Sequence, residues 1–410
     1  MSKQVTRRMV MAGAAAGLAA PAVHAQARVV KVGVVNPVSG RNAAFSQEVL
    51  PALLFMFDKI NAEGGIKSLG GARIEAVAAD DASQAGRAAT EVRRLITQEK
   101  VTLLVGTFLT DAIAAVAPVL DEFKVPGISV SGGGARGGYF YTLGLIYDRG
   151  YAQTSVNFLG ELVHKHGLPL KRLLMVYANY EGGQEVNRQL LSRLKAGGYE
   201  VIGEVPLDMQ AQDYTSAMLR IRSMKPDAIM GAVLTRGGAL LQQARYNLRV
   251  YDPIFIGNAS GYADPALWNE LGEEIGQATL TRNLFSLTTF SPNLKLPALQ
   301  TLLTELKASG KFNHAIGQNT QNAAQAGRLV QHVLEIAGPT DPAAVNAAFP
   351  KVSIKAGAPD FFYARAGGLE FGEDHLPKDI SAMFTRWLPD HSQQVVYPSQ
   401  FAEGPPPGRT

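Results

Sequence analysis

The chain contains no cysteine in 410 residues. That excludes disulfides, thiolate metal sites, a cysteine nucleophile and a lipid anchor that needs a cysteine at a processed N-terminus. Histidine occurs seven times, scattered, and never as H-E-x-x-H; His164 and His166 read as exposed helix-end residues. No G-x-S-x-G surrounds a serine and no G-x-x-x-x-G-K-[ST] occurs, so the motifs that would announce an enzyme are missing. The glycine-rich run 131–138 (SGGGARGG) lacks the G-x-G-x-x-G spacing of a dinucleotide turn. An acid–base pair in a cleft without a motif is the remote enzymatic alternative. The expectation is a protein with no metal, no cofactor and no catalytic residues. Beyond the first 25 residues no apolar run reaches the roughly 18 residues a membrane span needs.

Excess charge is also lacking. Lys and Arg number 39 against 35 Asp and Glu. The first 25 residues carry Lys3, Arg7 and Arg8 and no acid, which leaves 36 bases against 35 acids in the rest. No basic stripe with interleaved aromatics appears, so nucleic acid is not an expected partner. Mean hydropathy is +0.01 and 46% of residues are hydrophobic, a soluble globular composition long enough for two cores.

Residues 1–25 (MSKQVTRRMVMAGAAAGLAAPAVHA) have a basic start, an apolar run from Met9 to Ala20 and the small-residue site Val23-His24-Ala25. This is an export signal, with cleavage expected after Ala25 or, failing that, Ala27. Thr6-Arg7-Arg8 fits a twin-arginine signal; a plain secretory signal with adjacent arginines is the other reading. Either one places the mature protein in the periplasm.

The mature chain alternates. Apolar, β-branched runs predict strands at 28–36, 73–79, 101–105 and 126–130, and again at 173–177, 200–205, 227–233 and 253–257. Between them, apolar residues at helical spacing (Val49, Leu53, Leu54, Phe57 and Ile60 in the first case) predict helices. Strands separated by such helices imply parallel sheets of βαβ units. Two runs, 29–142 and 172–257, imply an α/β protein of two similar lobes. Helices are predicted at 294–309, 318–337 and 341–349, and strands at 380–387 and 394–397. The Pro/Gly-rich end 401–410 reads as a flexible tail.

The strings VKVGVVNPVSGRNAAFSQE, DKINAEGGI, AADDASQAGRAATEVRRLI, LLVGTFLTDAIAAVAPVLDEFKVPGIS and GGALLQQARYNL resemble the leucine/isoleucine/valine-binding receptors of bacterial branched-chain amino-acid importers. These are type I periplasmic binding proteins, and the resemblance runs from Val30 to about Arg282, more weakly to the C-terminus. It implies two Rossmann-like lobes joined by three crossing segments, near 142–147, 278–282 and 378–384, with a ligand between lobes that close about a hinge. Lobe one would be 28–144 plus 281–379, and lobe two 145–280 plus 380–400. The implied partners are a small-molecule ligand and an inner-membrane ABC permease with its ATPase, served by a monomer. A receptor that presents its ligand to a signalling system is the alternative, since fold and pocket would be the same.

Ligands of open α/β sheets bind beyond the carboxyl ends of strands. By the resemblance, Phe45 covers the ligand's apolar part, and Thr110 stands where the family binds a carboxylate through serine. A hydroxyl before a helix is also a cap beside free backbone N–H groups, which favour an anion. Phe108 is a candidate wall. Ser131 matches a backbone contact, and Gly133 replaces a family threonine, so its hydroxyl is gone. Arg136 either substitutes as an anion partner or is solvated. In the second lobe Tyr180 and Arg236 follow strands. Ala259 stands where amino-acid binders carry the glutamate that pairs with the ligand ammonium, and no acid occurs between Pro253 and Tyr262. An unpaired buried ammonium is costly, so the expected ligand is a non-amino or aromatic carboxylate rather than a simple amino acid. Gln318, Asn319, Gln321 and Asn322 either face the cleft or form an exposed helix face.

Overall fold

The computed structural model describes residues 29–133, 137–312 and 316–406. The export signal and Arg136 lie outside the described residues. The elements run β1 (Val29–Asn36), α1 (Ala43–Ala62), β2 (Arg73–Asp80), α2 (Ala85–Arg94), β3 (Leu103–Gly106), α3 (Thr110–Phe123), β4 (Gly127–Ser129) and β5 (Phe140–Thr142). A second series follows: α4 (Gln153–His164), β6 (Arg172–Ala178), α5 (Glu181–Ala196), β7 (Glu200–Leu207), α6 (Thr215–Met224), β8 (Ala228–Ala232), α7 (Thr235–Asn247), β9 (Ile254–Gly257), α8 (Ala266–Thr279) and β10 (Leu284–Thr288). The chain ends with α9 (Pro297–Ala308), α10 (Gln318–Ala337), α11 (Pro342–Ala348), β11 (Met383–Trp387) and β12 (Gln393–Tyr397).

These strands form two sheets. The first has the order β2-β1-β3-β4-β5 and is wholly parallel. The second has the order β12-β11-β10-β9-β8-β6-β7, parallel from β7 to β10 with β11 and β12 antiparallel at the edge. Read from β7, the second sheet repeats the first: the second strand lies outermost, the first beside it, then the third, fourth and fifth. Each sheet is covered on both faces. Val30, Val32 and Val34 of β1 face one core while Val35 faces another, and Leu173 and Met175 of β6 face opposite to Leu174 and Val176. Two buried faces are why the strands read as continuous apolar runs rather than alternations.

β10 differs from expectation. The resemblance places residues 284–288 in the first lobe, yet they pair in parallel with β9, Leu284 opposite Phe255, in the second sheet. Here α8 acts as the crossover that brings a fifth parallel strand into place. The return to the first sheet's side therefore follows Thr288 rather than falling at 278–282.

α10 is the central brace of the first lobe. It packs against α1 so closely that a Cβ on Gly327 would lie 2.6 Å from Met56 Cγ. Its amides are structural: Gln321 Nε2 donates to Phe362 O at 2.7 Å, Asn322 Nδ2 to Val130 O at 2.9 Å, and Gln318 Oε1 accepts from the Thr289 N–H at 2.8 Å. Gln321 and Asn322 are buried, so they are not an exposed polar face. The C-terminal segment is also fastened, contrary to the expected free tail: through residue 406 it is described, the Val395 N–H donates to Glu403 Oε2 at 2.9 Å and the Glu403 N–H returns to Val395 O at 2.8 Å.

Candidate functional site

In each sheet the chain order reverses between the first and third strands, β1/β3 and β6/β8, and a crevice opens at their carboxyl ends. The helices that follow these four strands are α1, α3, α5 and α7, and their first turns supply walls of the cleft between the sheets. The cleft has two compartments. The narrow one is about 50 Å³ and is lined by Thr110, Ser131, Tyr147, Tyr151, Tyr180 and Ala259 among others. The wide one is about 590 Å³ and is lined by Phe45, Glu48, Thr235, Arg236, Asp264 and Glu270 among others. Phe108 and Leu234 belong to both.

The narrow end is a hydroxyl pocket. Thr110 opens α3 and shares a 2.7 Å hydrogen bond with the Tyr147 hydroxyl. Tyr180 precedes α5, and Gly182 lies in that helix's first turn, so close that a Cβ there would meet Thr110 Oγ1 at 2.8 Å. Two helix N-termini thus converge, one from each sheet's side, presenting partial positive charge. Burial pushes the Tyr180 and Tyr151 phenols up, which keeps them neutral donors. Among the described residues, none that lines this end is acidic or basic.

Phe45 and Phe108 stack at 3.5 Å between centroids, 24° apart in plane, and stand at the join of the two compartments. Beyond them the wide end is charged. Arg236 donates to Gln212 at 3.0 Å, and Asp264 accepts from the Thr235 hydroxyl and the Ala266 N–H. Burial, then Asp264, push the Glu48 carboxyl up to about 8, and burial pushes Glu270 up as well.

Of the residues singled out in the sequence, Thr110, Ser131, Tyr180 and Ala259 meet at the narrow end, Phe45 and Arg236 at the wide end, and Phe108 at both. Gly133 lines neither. Its N–H donates to Leu145 O and its carbonyl accepts from the Tyr147 N–H, so its backbone braces the first crossing rather than facing a ligand. Of the α10 amides only Asn319 reaches the cleft. Sequence reasoning missed Tyr147 and Tyr151, although two tyrosines one helical turn apart at the first crossing are a visible signal. It also missed Glu48, three residues beyond Phe45 and hence on the same face of α1.

The model of a family described as periplasmic binding protein matches residues 29–375. This chain belongs to that family. Among periplasmic binding proteins similar to it, the Leu/Ile/Val-binding protein homolog 7 of Brucella suis is 26% identical over 400 residues, covering 94% of this chain and 96% of the relative. Two solved structures share the fold. One is the branched-chain amino acid transporter substrate-binding protein of Streptococcus pneumoniae in complex with isoleucine, with TM-score 0.74, 19% identity and coverage of 90% and 100% of the two chains. The other is a solute-binding protein of an ABC transporter from Rhodopseudomonas palustris in complex with 3,4-dihydroxybenzoic acid, with TM-score 0.72, 20% identity and coverage of 89% and 95%. Family and neighbours are solute-binding proteins. No helix among the described residues is long and apolar enough to cross a membrane.

Proposed function

We propose that this protein is the exported receptor of an ABC importer, and that the narrow end of its cleft holds the carboxylate of an organic acid without an α-ammonium group, an aromatic acid in preference to an aliphatic one. The observation that carries this reading is the hydroxyl-rich lining of the narrow end, which includes Ala259 and, among the described residues, no charged group. Thr110, Tyr147, Tyr151 and Tyr180 supply hydroxyls and the starts of α3 and α5 supply partial positive charge. A carboxylate is satisfied there, whereas an ammonium beside it would be buried without a partner. The stacked Phe45–Phe108 pair offers an aromatic wall immediately beyond. Relatives of this fold take both isoleucine and 3,4-dihydroxybenzoic acid, so the fold admits both classes and the lining chooses between them. In this reading residues 1–25 direct export and are removed after Ala25, and the mature monomer delivers its ligand to a membrane permease and ATPase.

The test is thermal denaturation of residues 26–410 with two panels, aliphatic amino acids and aromatic or aliphatic carboxylates. A ligand present at about 100 times its dissociation constant stabilises the folded state by roughly 2.7 kcal/mol. Benzoates are expected to raise the melting temperature, with leucine, isoleucine and valine leaving it unchanged. A shift by leucine alone would overturn the reading of the narrow end.

A further inference from the structure

The wide compartment holds charge that a simple carboxylate ligand leaves unused. Glu48, Asp264 and Glu270 all line it. None of the three forms an ion pair among the described residues, whereas Glu63 pairs with Arg328 and Asp148 with Arg193. Asn319 is the hydrogen-bonding partner of Glu48. Asn42, also on this lining, buries an amide nitrogen with no acceptor. The narrow compartment has room for little beyond a carboxylate, so the body of any ligand anchored there must pass Phe108 and enter the wide one. A volume of about 590 Å³ falls in the range that encloses a drug-sized molecule, roughly 300–1,000 Å³.

We propose that the wide compartment seats a basic nitrogen at the far end of the ligand, held by Glu48 with Asp264 and Glu270 beside it, so that the ligand is a two-ended molecule with a carboxylate at one end and an amine at the other. This rests on the carboxylate reading for the near end and adds the chemistry of the far end. It does not restore an α-ammonium group, because the acids stand beyond the Phe45–Phe108 pair and not at Ala259.

The physical reason is the cost of the unliganded arrangement. A half-buried carboxyl facing a second one, with no cation paired to it, is held protonated. A cationic ligand relieves both at once. Glu48 lies a full turn beyond the start of α1, where the helix dipole has faded. The charged and titratable groups that share the compartment with Glu48 are Arg41, Tyr214, Arg236, Asp264 and Glu270. Arg236 is directed to Gln212.

Because Glu48 titrates near 8, an amine entering below that pH must displace a proton. Its affinity therefore rises with pH up to about 8 and levels off above, while a ligand without the amine shows no such dependence. The experiment is titration calorimetry with 4-(aminomethyl)benzoate, 4-methylbenzoate and benzylamine, at pH 7 and 8.5, in buffers of different ionisation enthalpy. The aminomethyl compound is expected to bind at least about tenfold more tightly than the methyl compound at pH 8.5 and to weaken several-fold at pH 7. It should also release a proton at pH 7. Glu48→Gln, checked by its melting curve, should collapse the ratio between the two benzoates to within about threefold.

Equal binding of the two benzoates, an unchanged ratio in Glu48→Gln, or no binding of either amine overturns the proposal. Binding of benzylamine that Glu48→Gln abolishes, with no binding of methylbenzoate, keeps this proposal and sinks the carboxylate reading of the narrow end. The proton release in the wild-type protein tests the idea even if the variant fails to fold.

Discussion

Gly182→Ala is expected to weaken binding of the tightest benzoate about thirtyfold, or ~2 kcal/mol, the size of a one-methyl overpacking in a tight site. The melting temperature of the free protein should move little. Gly182 sits in the first turn of α5, on the second sheet's side of the cleft. A methyl group there would lie 2.8 Å from Thr110 Oγ1, which opens α3 on the other side, and 2.8 Å from the Tyr180 ring. The Tyr180 ring can turn aside, but Thr110 is fixed by its bond to Tyr147. The methyl therefore acts as a wedge between the two lobes at the point where the carboxylate is proposed to sit. With the hinge closure that the resemblance implies, its cost falls on the closed state, and with it on the affinity. Calorimetry for the ligand and a melting curve for the free protein separate the two effects. Unchanged affinity would mean that the starts of α3 and α5 do not meet in the liganded protein. An equal loss of stability would mean that the contact is ordinary packing within the fold.

That wedge position follows from the topology, and most of the topology was legible. The β-branched runs and the helical spacing between them reported buried parallel strands and their crossovers, because strands covered on both faces have no polar register to obscure them. The loops of the site were legible for the same reason, since crevices of such sheets open at the carboxyl ends of strands. β10 escaped because its five residues, Leu284-Phe285-Ser286-Leu287-Thr288, carry two hydroxyls and follow a stretch after Gly257 in which the sequence suggests no crossover helix. Its place is set by pairing with β9, which no local signal announces.

The acids of the cleft escaped differently. The family resemblance points to a cation partner only at Ala259. Asp264 lies only two residues past Tyr262, and Glu48 reaches the cleft from the opposite sheet's first helix. Charge at such a site is assembled across the fold, and residues more than 200 apart in sequence share one wall. Tyr147 and Tyr151 show the same limit. They belong to the first crossing, whose path between the sheets decides what they face.

Arg245→Ala is expected to cost about 3–5 kcal/mol of stability, as when one member of a buried polar network is deleted. The midpoint of urea unfolding should fall accordingly. The guanidinium is fully buried on α7. Its Nε donates to Val250 O at 3.0 Å, its Nη1 to Thr279 O at 2.8 Å and to Gln242 Oε1 at 3.0 Å, and its Nη2 to Arg282 O at 2.9 Å. It also stacks over Phe255, 4.4 Å from the ring centroid. One side chain thus ties the end of α7 to the end of α8 and to the turns that lead into β9 and β10. Alanine would leave two buried carbonyls, of Val250 and Thr279, and the partly buried one of Arg282 without this donor, and a cavity beneath Phe255. Lysine keeps the charge but not the planar fork, so Arg245→Lys is expected to recover only part of the loss. The tie also bears on the site, because β9 ends at Gly257, two residues before Ala259 in the narrow compartment. Arg245→Ala should therefore weaken benzoate binding in proportion to the lost order of that strand. A loss under about 1 kcal/mol, the size of a single exposed contact, would show that the carbonyls find other donors and that the network does not hold these elements together.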